Sequence, residues 1–297
     1  MNLMKHPFAR AAGFVMGYAV CFWFVRLFII TIVAYNFVRL SDSSPLALQK
    51  IGDIVRANQV LTYGISAIVF VSLLHALHPL TRTRFHEVFN LKSLKDHFLP
   101  NALNGAILTV VLLVGTTLGG YMSYLGVYMK FDEVLLALGT ATLFAAALFA
   151  LTLVEEYMLR QVIETTLSQK MSTIKVVAVS SAVYLGVKLL QFNLGYIEAM
   201  NLVLLNITLS MIARTERSYL ASASFSATFM MLVHIVFGLP FMQQDMPGIF
   251  LLRAASDEGL ASTLSGGAIG PEGGLVLTVL LMIYLYLPQI RSKKIEV

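Results

Sequence analysis

The chain has one cysteine, Cys21, among 297 residues. No intrachain disulfide can form, and no metal site built on paired cysteines is possible. Charge is scarce too: Asp, Glu, Lys and Arg make up 12% of the residues, about half the share of a soluble domain. No internal repeat and no low-complexity tract stand out. Alternating segments of about ten residues, the mark of a membrane barrel, are missing. What fills the sequence is apolar, 58% of it, in continuous runs close to the ~20 residues that a spanning helix needs. A chain so composed has lipid as its main solvent.

The runs predict an all-α polytopic membrane protein of about eight transmembrane helices. The expected spans are Gly13–Val38, Leu61–Leu80, Ala102–Tyr124, Val134–Arg160, Ile174–Leu190, Leu194–Ala213, Leu220–Pro240 and Gly273–Leu287. Met1–Ala12 does not read as a cleaved signal, because the first apolar run is too long and lacks a clear small-residue cleavage site.

Lys and Arg set the orientation. With the N-terminus inside, the inner segments carry Lys5 and Arg10, then Arg82, Arg84, Lys92 and Lys95, then Arg160, Lys170 and Lys175, then Arg214 and Arg217, and finally Arg291, Lys293 and Lys294. The outer segments carry only Arg39, Lys50, Arg56, Lys130 and Arg253. This fourteen-to-five bias alternates loop by loop and predicts both termini in the cytoplasm, N-in and C-in. It also accounts for the net charge of +5 without nucleic acid, since a basic inner face suits anionic lipid headgroups. Membrane lipid is therefore the expected neighbour, and the bacterial cytoplasmic (inner) membrane the expected location.

Two stretches between spans have their own character. Gln161–Ser172 mixes polar and apolar residues and reads as an amphipathic elbow on the inner surface. The outer loop Met242–Gly274 holds Ser265-Gly266-Gly267-Ala268-Ile269-Gly270-Pro271-Glu272-Gly273-Gly274. There Pro271 suits a first helical turn and Glu272 complements the positive helix end.

Charges inside spans are costly and mark candidate sites. Glu155-Glu156-Tyr157-Met158-Leu159-Arg160 follows an uncharged run. Glu156 and Arg160 are spaced to pair across one helical turn, while Glu155 is rotated by about 100° and can act elsewhere. An ordinary salt bridge at a helix end gives the same spacing. Lys188 either snorkels to the outer interface or pairs with a buried acid, for which Glu155 is available. The crude spans put these two at different depths, so pairing requires the fourth span to run past Arg160 or the fifth to start later. Ser226, Met230 and His234 share a face of the seventh span. A lone intramembrane histidine usually hydrogen-bonds between helices. His75 and His78, spaced i, i+3, are a weak metal pair without a third ligand. Arg26 has no evident partner.

Taken together, three segments resemble the CAAX protease and bacteriocin-processing family, also called Abi or CPBP, which includes the type II CAAX prenyl endopeptidases. That family shows EExxxR, then FxxxH, then HxxxN or HxxxD, on successive core helices. The likeness covers roughly Phe98 to Tyr286. It is most specific at Ser226–Pro240, which ends in Phe-Gly-Leu-Pro, and at Leu264–Leu277 with its Gly-Gly-Ala-Ile-Gly-Pro-Glu-Gly centre. It implies a division into residues 1–97, two helices and an inner loop, and residues 98–297, the CPBP-like intramembrane core. It also implies that Glu155 stands where the family activates water, with Glu156 and Arg160 as its supporting pair. The second motif falls on Tyr184 and Lys188, so a histidine is replaced by lysine. The third falls on Ser226 and Met230, which replace a histidine and an asparagine.

In the family mechanism the histidine assists proton removal, and the other two side chains donate to the oxyanion. Met230 has no donor, and loss of one such donor costs about 10²–10³ in rate. A metal shared by glutamate and histidine is also lost. Three readings follow. The first is a non-catalytic relative that holds a membrane protein or lipidated peptide in its cavity, with Glu155–Lys188 as a buried ion pair. The second is an endopeptidase with a rewired site, using Glu155 alone, a Ser226/Lys188 dyad, or His234 as helper to Ser226. The third is a transporter-like bundle, disfavoured by the missing repeat. No cofactor is expected on any of them.

Overall fold

The computed structural model describes residues 13, 16–17, 20, 24–25, 28, 64–65, 68–69, 91–127, 134–192, 194–240, 248–256 and 258–293. Cys21, Arg26, His75 and His78 lie outside the described residues, as does most of the first two expected spans.

Five helices of the described residues have the length and apolarity to cross a bilayer, the mark of an integral membrane protein. They are α1 (Leu94–Leu118), α2 (apolar over Ala141–Ser168), α3 (Thr173–Leu190), α4 (Tyr196–Glu216) and α5 (Tyr219–Val236). A short helix α6 (Gly259–Ser265) and a final helix α7 (Leu275–Lys293) follow. The apolar part of α7, Leu275–Tyr286, is shorter than a full span.

Several expected boundaries move. The third expected span stops at Leu118, and the chain turns through Gly119 and Gly120 into a strand, β1 (Met122–Val127). The expected outer loop contains its partner, β2 (Phe250–Ala254), paired antiparallel in the register Met122↔Ala254 to Val127↔Phe250. The helix of the seventh span ends at Val236, and Gly238 turns the chain in the left-handed region. A Cβ there would lie 2.8 Å from the backbone of Gly248, so glycine is required by both conformation and space.

The largest correction concerns α2. It is helical from Val134, widens into π-type turns over Tyr157–Glu164 and closes at Ser168. Gln161–Ser168 of the expected elbow is thus the end of this helix, amphipathic as its pattern suggests: Thr165 and Ser168 are exposed, while Val162, Ile163, Glu164 and Leu167 are buried. The cause is a spacing of four: Glu156, Arg160 and Glu164 all face inward and satisfy one another.

α5 is the centre of the bundle, packed between α1, α2 and α4, while α4 lies between α3, α5 and α7. Its residues Leu220, Ala221, Ala223, Phe225 and Phe229 are fully buried. Small residues allow this closeness, as they do between membrane helices generally. Gly105 of α1 lies so near the carbonyl of Phe225 that no Cβ would fit. Lone hydroxyls in the bundle bond back along their own helices, as Thr109 to the Gly105 carbonyl at 2.9 Å and Thr152 to the Leu148 carbonyl at 2.9 Å. In a medium without water those groups have to find partners inside the protein.

Candidate functional site

Three polar assemblies occupy the interior of the bundle. The first is centred on Arg160. Its Nε donates to Glu156 Oε2 at 2.9 Å, and Nη1 donates to Glu164 Oε1 at 2.6 Å and to Ser210 Oγ at 2.7 Å, with Ser180 Oγ at 3.3 Å. Nη2 donates to Asn206 Oδ1 at 2.9 Å and to the Asn206 carbonyl at 3.3 Å. All five guanidinium N–H groups therefore have acceptors. Ser210 in turn donates to Glu164 Oε1 at 2.6 Å, Asn206 Nδ2 to Ser181 Oγ at 2.9 Å, and Arg214 Nε to Glu164 Oε2 at 3.1 Å. One buried cation thus fastens α2, α3 and α4 together. The expected Glu156–Arg160 pair is real, and it belongs to a larger structural network rather than to a helix end.

Beside this network Lys188 Nζ lies 2.7 Å from Glu155 Oε1. The lysine side chain is 8% exposed and the glutamate 21%. The Tyr184 ring, one turn away on α3, has its centroid 5.3 Å from the same ammonium, within cation–π range. Extension of α2 settles the question of depth. Glu155 stands thirteen residues above Ser168, and Lys188 fifteen above Thr173, about 20 and 22 Å along two helices joined by a short turn. Lys188 therefore does not snorkel; it ends at an acid.

The third-motif positions behave differently. Met230 belongs to the apolar core. Ser226 is buried and, among the described residues, makes no side-chain hydrogen bond to Lys188 or to any other group. The Ser226/Lys188 dyad is thus not assembled, since the amine is held by a carboxylate.

His234 anchors the third assembly. Its Nδ1 lies 3.0 Å from the Leu239 carbonyl and its Nε2 lies 2.7 Å from Glu272 Oε1. Both ring nitrogens are spent, so His234 does not serve Ser226. Asn201 of α4 donates to the carbonyls of Glu272 at 2.7 Å and Gly274 at 2.9 Å, and accepts from Thr278 Oγ1 at 2.6 Å. The Gly195 amide donates to Glu198 Oε2 at 2.8 Å. Glu272 Oε2 and Glu198 Oε1 are buried without a hydrogen-bond partner among the described residues. Glu272 is therefore more than a complement to a helix start: it ties the turn Pro271–Gly273, which leads into α7, to the end of α5.

Sequence reasoning missed Glu164, Asn206 and Ser210, although Glu164 repeats the four-residue spacing of Glu156 and Arg160. It also missed the pairing of His234 with Glu272, for which an intramembrane histidine and an acid in a Gly-rich segment were the two signals. No group of three or more His, Cys, Asp or Glu suited to a metal occurs among the described residues.

Chemically, a carboxylate 2.7 Å from an ammonium has its charge already compensated. Compared with family models, curated proteins and solved structures, the chain matches none of them.

Proposed function

We propose that the protein is a non-catalytic relative of the CAAX protease and bacteriocin-processing membrane proteins, one that binds a membrane protein or lipidated peptide without cleaving it. On this reading the whole chain has eight spans with both termini in the cytoplasm, and it resides in the bacterial inner membrane.

The observation that carries the reading is the Glu155–Lys188 ion pair. A general base has to offer a lone pair near the working pH, and here the Glu155 carboxylate faces an ammonium. A neutral histidine in place of Lys188 would accept a proton near pH 7; a lysine opposite a glutamate keeps its own. Met230 supplies no donor where charge would develop on a carbonyl oxygen. The Arg160 network supports the same view from the other side. It preserves the architecture of the site, binding three helices, while the reactive pair beside it is neutralised.

The test pairs affinity purification from native membranes with a cleavage assay on the recovered partners, comparing wild type with Glu155→Ala. A stable partner that stays intact in both preparations supports the binding role. Cleavage in the wild type that disappears in Glu155→Ala would overturn it and restore an endopeptidase.

A further inference from the structure

At the end of the bundle that the charge bias assigns to the cytoplasm, a cleft of about 360 Å³ opens between the ends of α2 and α4 and the start of α5. It is lined by Arg160, Gln161, Glu164, Arg214, Arg217 and Ser218, among others. That volume lies at the lower end of pockets that take small organic ligands.

The polar groups along this cleft divide into two sets. Arg160 and Glu164 are committed to each other and to the interior network, and Arg214 uses Nε and Nη2 on Glu164 Oε2 at 3.1 and 3.0 Å. The second set is uncommitted. Among the described residues, the Arg217 guanidinium, the Gln161 amide and the Ser218 hydroxyl make no side-chain hydrogen bond, and Nη1 of Arg214 has no acceptor. Gln161, Arg214 and Ser218 are half-buried and Arg217 is exposed, so these donors line the mouth of the cavity and are open to a ligand from outside. Ser218 precedes α5 in extended conformation without capping it, which leaves the positive end of that helix facing the same space.

Charge narrows the ligand further. Glu156, Arg160, Glu164 and Arg214 cancel as a connected group. Glu164 is the one carboxylate among the residues that line the cleft. Arg217 is left over, an exposed cation held at φ 53°, the one non-glycine residue with positive φ among those described. A site with one surplus positive charge, guanidinium forks and hydroxyl donors matches a phosphate group, for which arginine is the usual bidentate partner. The net of +1 equals the single charge of a phosphodiester.

We propose that this cleft binds a phosphate ester, with Arg217 as the determining residue and Arg214, Gln161 and Ser218 as further donors. Its source is either the headgroup of a phospholipid from the inner leaflet or a soluble phosphate. The site does not depend on how the Glu155–Lys188 pair is interpreted.

The test uses the full chain in detergent. Native mass spectrometry reads whether a phospholipid co-purifies, and thermal melting is followed with short-chain phosphatidylglycerol, with inorganic phosphate, and with chloride at equal ionic strength. Arg217→Asn removes the cation while suiting the left-handed backbone, so its ligand-free melting should match the wild type. The expected result is stabilisation of the wild type by phosphatidylglycerol, weakened at least tenfold in apparent affinity by Arg217→Asn and by a smaller factor by Arg217→Lys, which keeps the charge but not the fork. Stabilisation by inorganic phosphate alone, with the same dependence on Arg217, supports the site and assigns a soluble ligand. Equal responses in wild type and Arg217→Asn, or no response beyond that to chloride, overturn the proposal.

Discussion

Removing one partner from the Glu155–Lys188 pair should cost several kcal/mol, and removing both should cost much less. Breaking a buried ion pair one-sidedly typically costs about 3–5 kcal/mol, whereas replacing both partners with neutral groups is often close to neutral. The geometry here sets where in that range each variant falls. Lys188→Met leaves the Glu155 carboxylate, whose side chain is 21% exposed, so residual contact with solvent softens the loss. The protein can also escape by protonating the lone acid. From a reference carboxyl to pH 7 that escape costs about 3.7 kcal/mol, which caps the penalty. We expect about 3 kcal/mol for Lys188→Met. Glu155→Gln leaves an ammonium whose side chain is 8% exposed. Neutralising a reference lysine at pH 7 costs about 4.6 kcal/mol, and about 4 kcal/mol is expected.

The assay is thermal unfolding of detergent-solubilised protein at pH 7. At roughly 2 °C per kcal/mol for a chain of this size, the single variants should melt about 6–8 °C below the wild type. Glu155→Gln combined with Lys188→Met should recover most of that loss. Single variants that melt with the wild type, or a double variant that loses the sum of both, would refute the reasoning.

Other perturbations probe the frame around this pair. Arg160→Lys keeps the charge but offers three N–H donors in place of a fork of five, so it should cost more than about 3 kcal/mol and lower the yield of folded protein in membrane extracts. Gly105→Leu would drive a side chain into the backbone of Phe225; overpacking of this kind costs about 1–3 kcal/mol or more and should appear as a lower melting temperature. Asn201→Leu strips the donors from the Glu272 and Gly274 carbonyls, and at about 1–3 kcal/mol for each unsatisfied buried group it should also melt early.

The sequence made the helical spans legible because lipid demands long apolar runs. For α3 and α4 the expected and observed boundaries differ by a few residues. It failed where polar residues face inward. In the expected elbow Gln161–Ser172, Thr165, Ser168 and Lys170 are exposed as the pattern suggests, yet Glu164 turns inward to Arg160 and Arg214. Asn206 and Ser210 looked like isolated polar residues on a span, and only the neighbouring helix shows that they receive the Arg160 guanidinium. The strands β1 and β2 are five or six residues long and more than a hundred residues apart in sequence. Neither carries a local pattern strong enough to announce a partner that only the folded chain brings near. Glu155 and Lys188 were legible as candidates, but their meeting depended on α2 running on past Arg160 to Ser168, where the charged network of Glu156, Arg160 and Glu164 faces inward.

The His234–Glu272 contact yields a count of protons from geometry alone. The Leu239 oxygen is a carbonyl and can only accept, so a hydrogen bond at 3.0 Å places a proton on His234 Nδ1. Nε2 and Glu272 Oε1 stand 2.7 Å apart, and two bare lone pairs would repel at that distance. One proton must lie between them, on either atom, and the pair is neutral overall in both cases. This explains how an acid and an imidazole, each 1% exposed, coexist in the interior. It also makes the two partners unequal under mutation. Glu272→Gln replaces the carboxyl with an amide whose N–H can donate to Nε2, preserving the bond at a cost of about 1 kcal/mol or less. His234→Leu leaves Oε1 as bare as Oε2 already is and frees the Leu239 carbonyl, which should cost about 3 kcal/mol or more. Melting temperatures that fall equally for the two variants would mean that no shared proton joins α5 to the turn before α7.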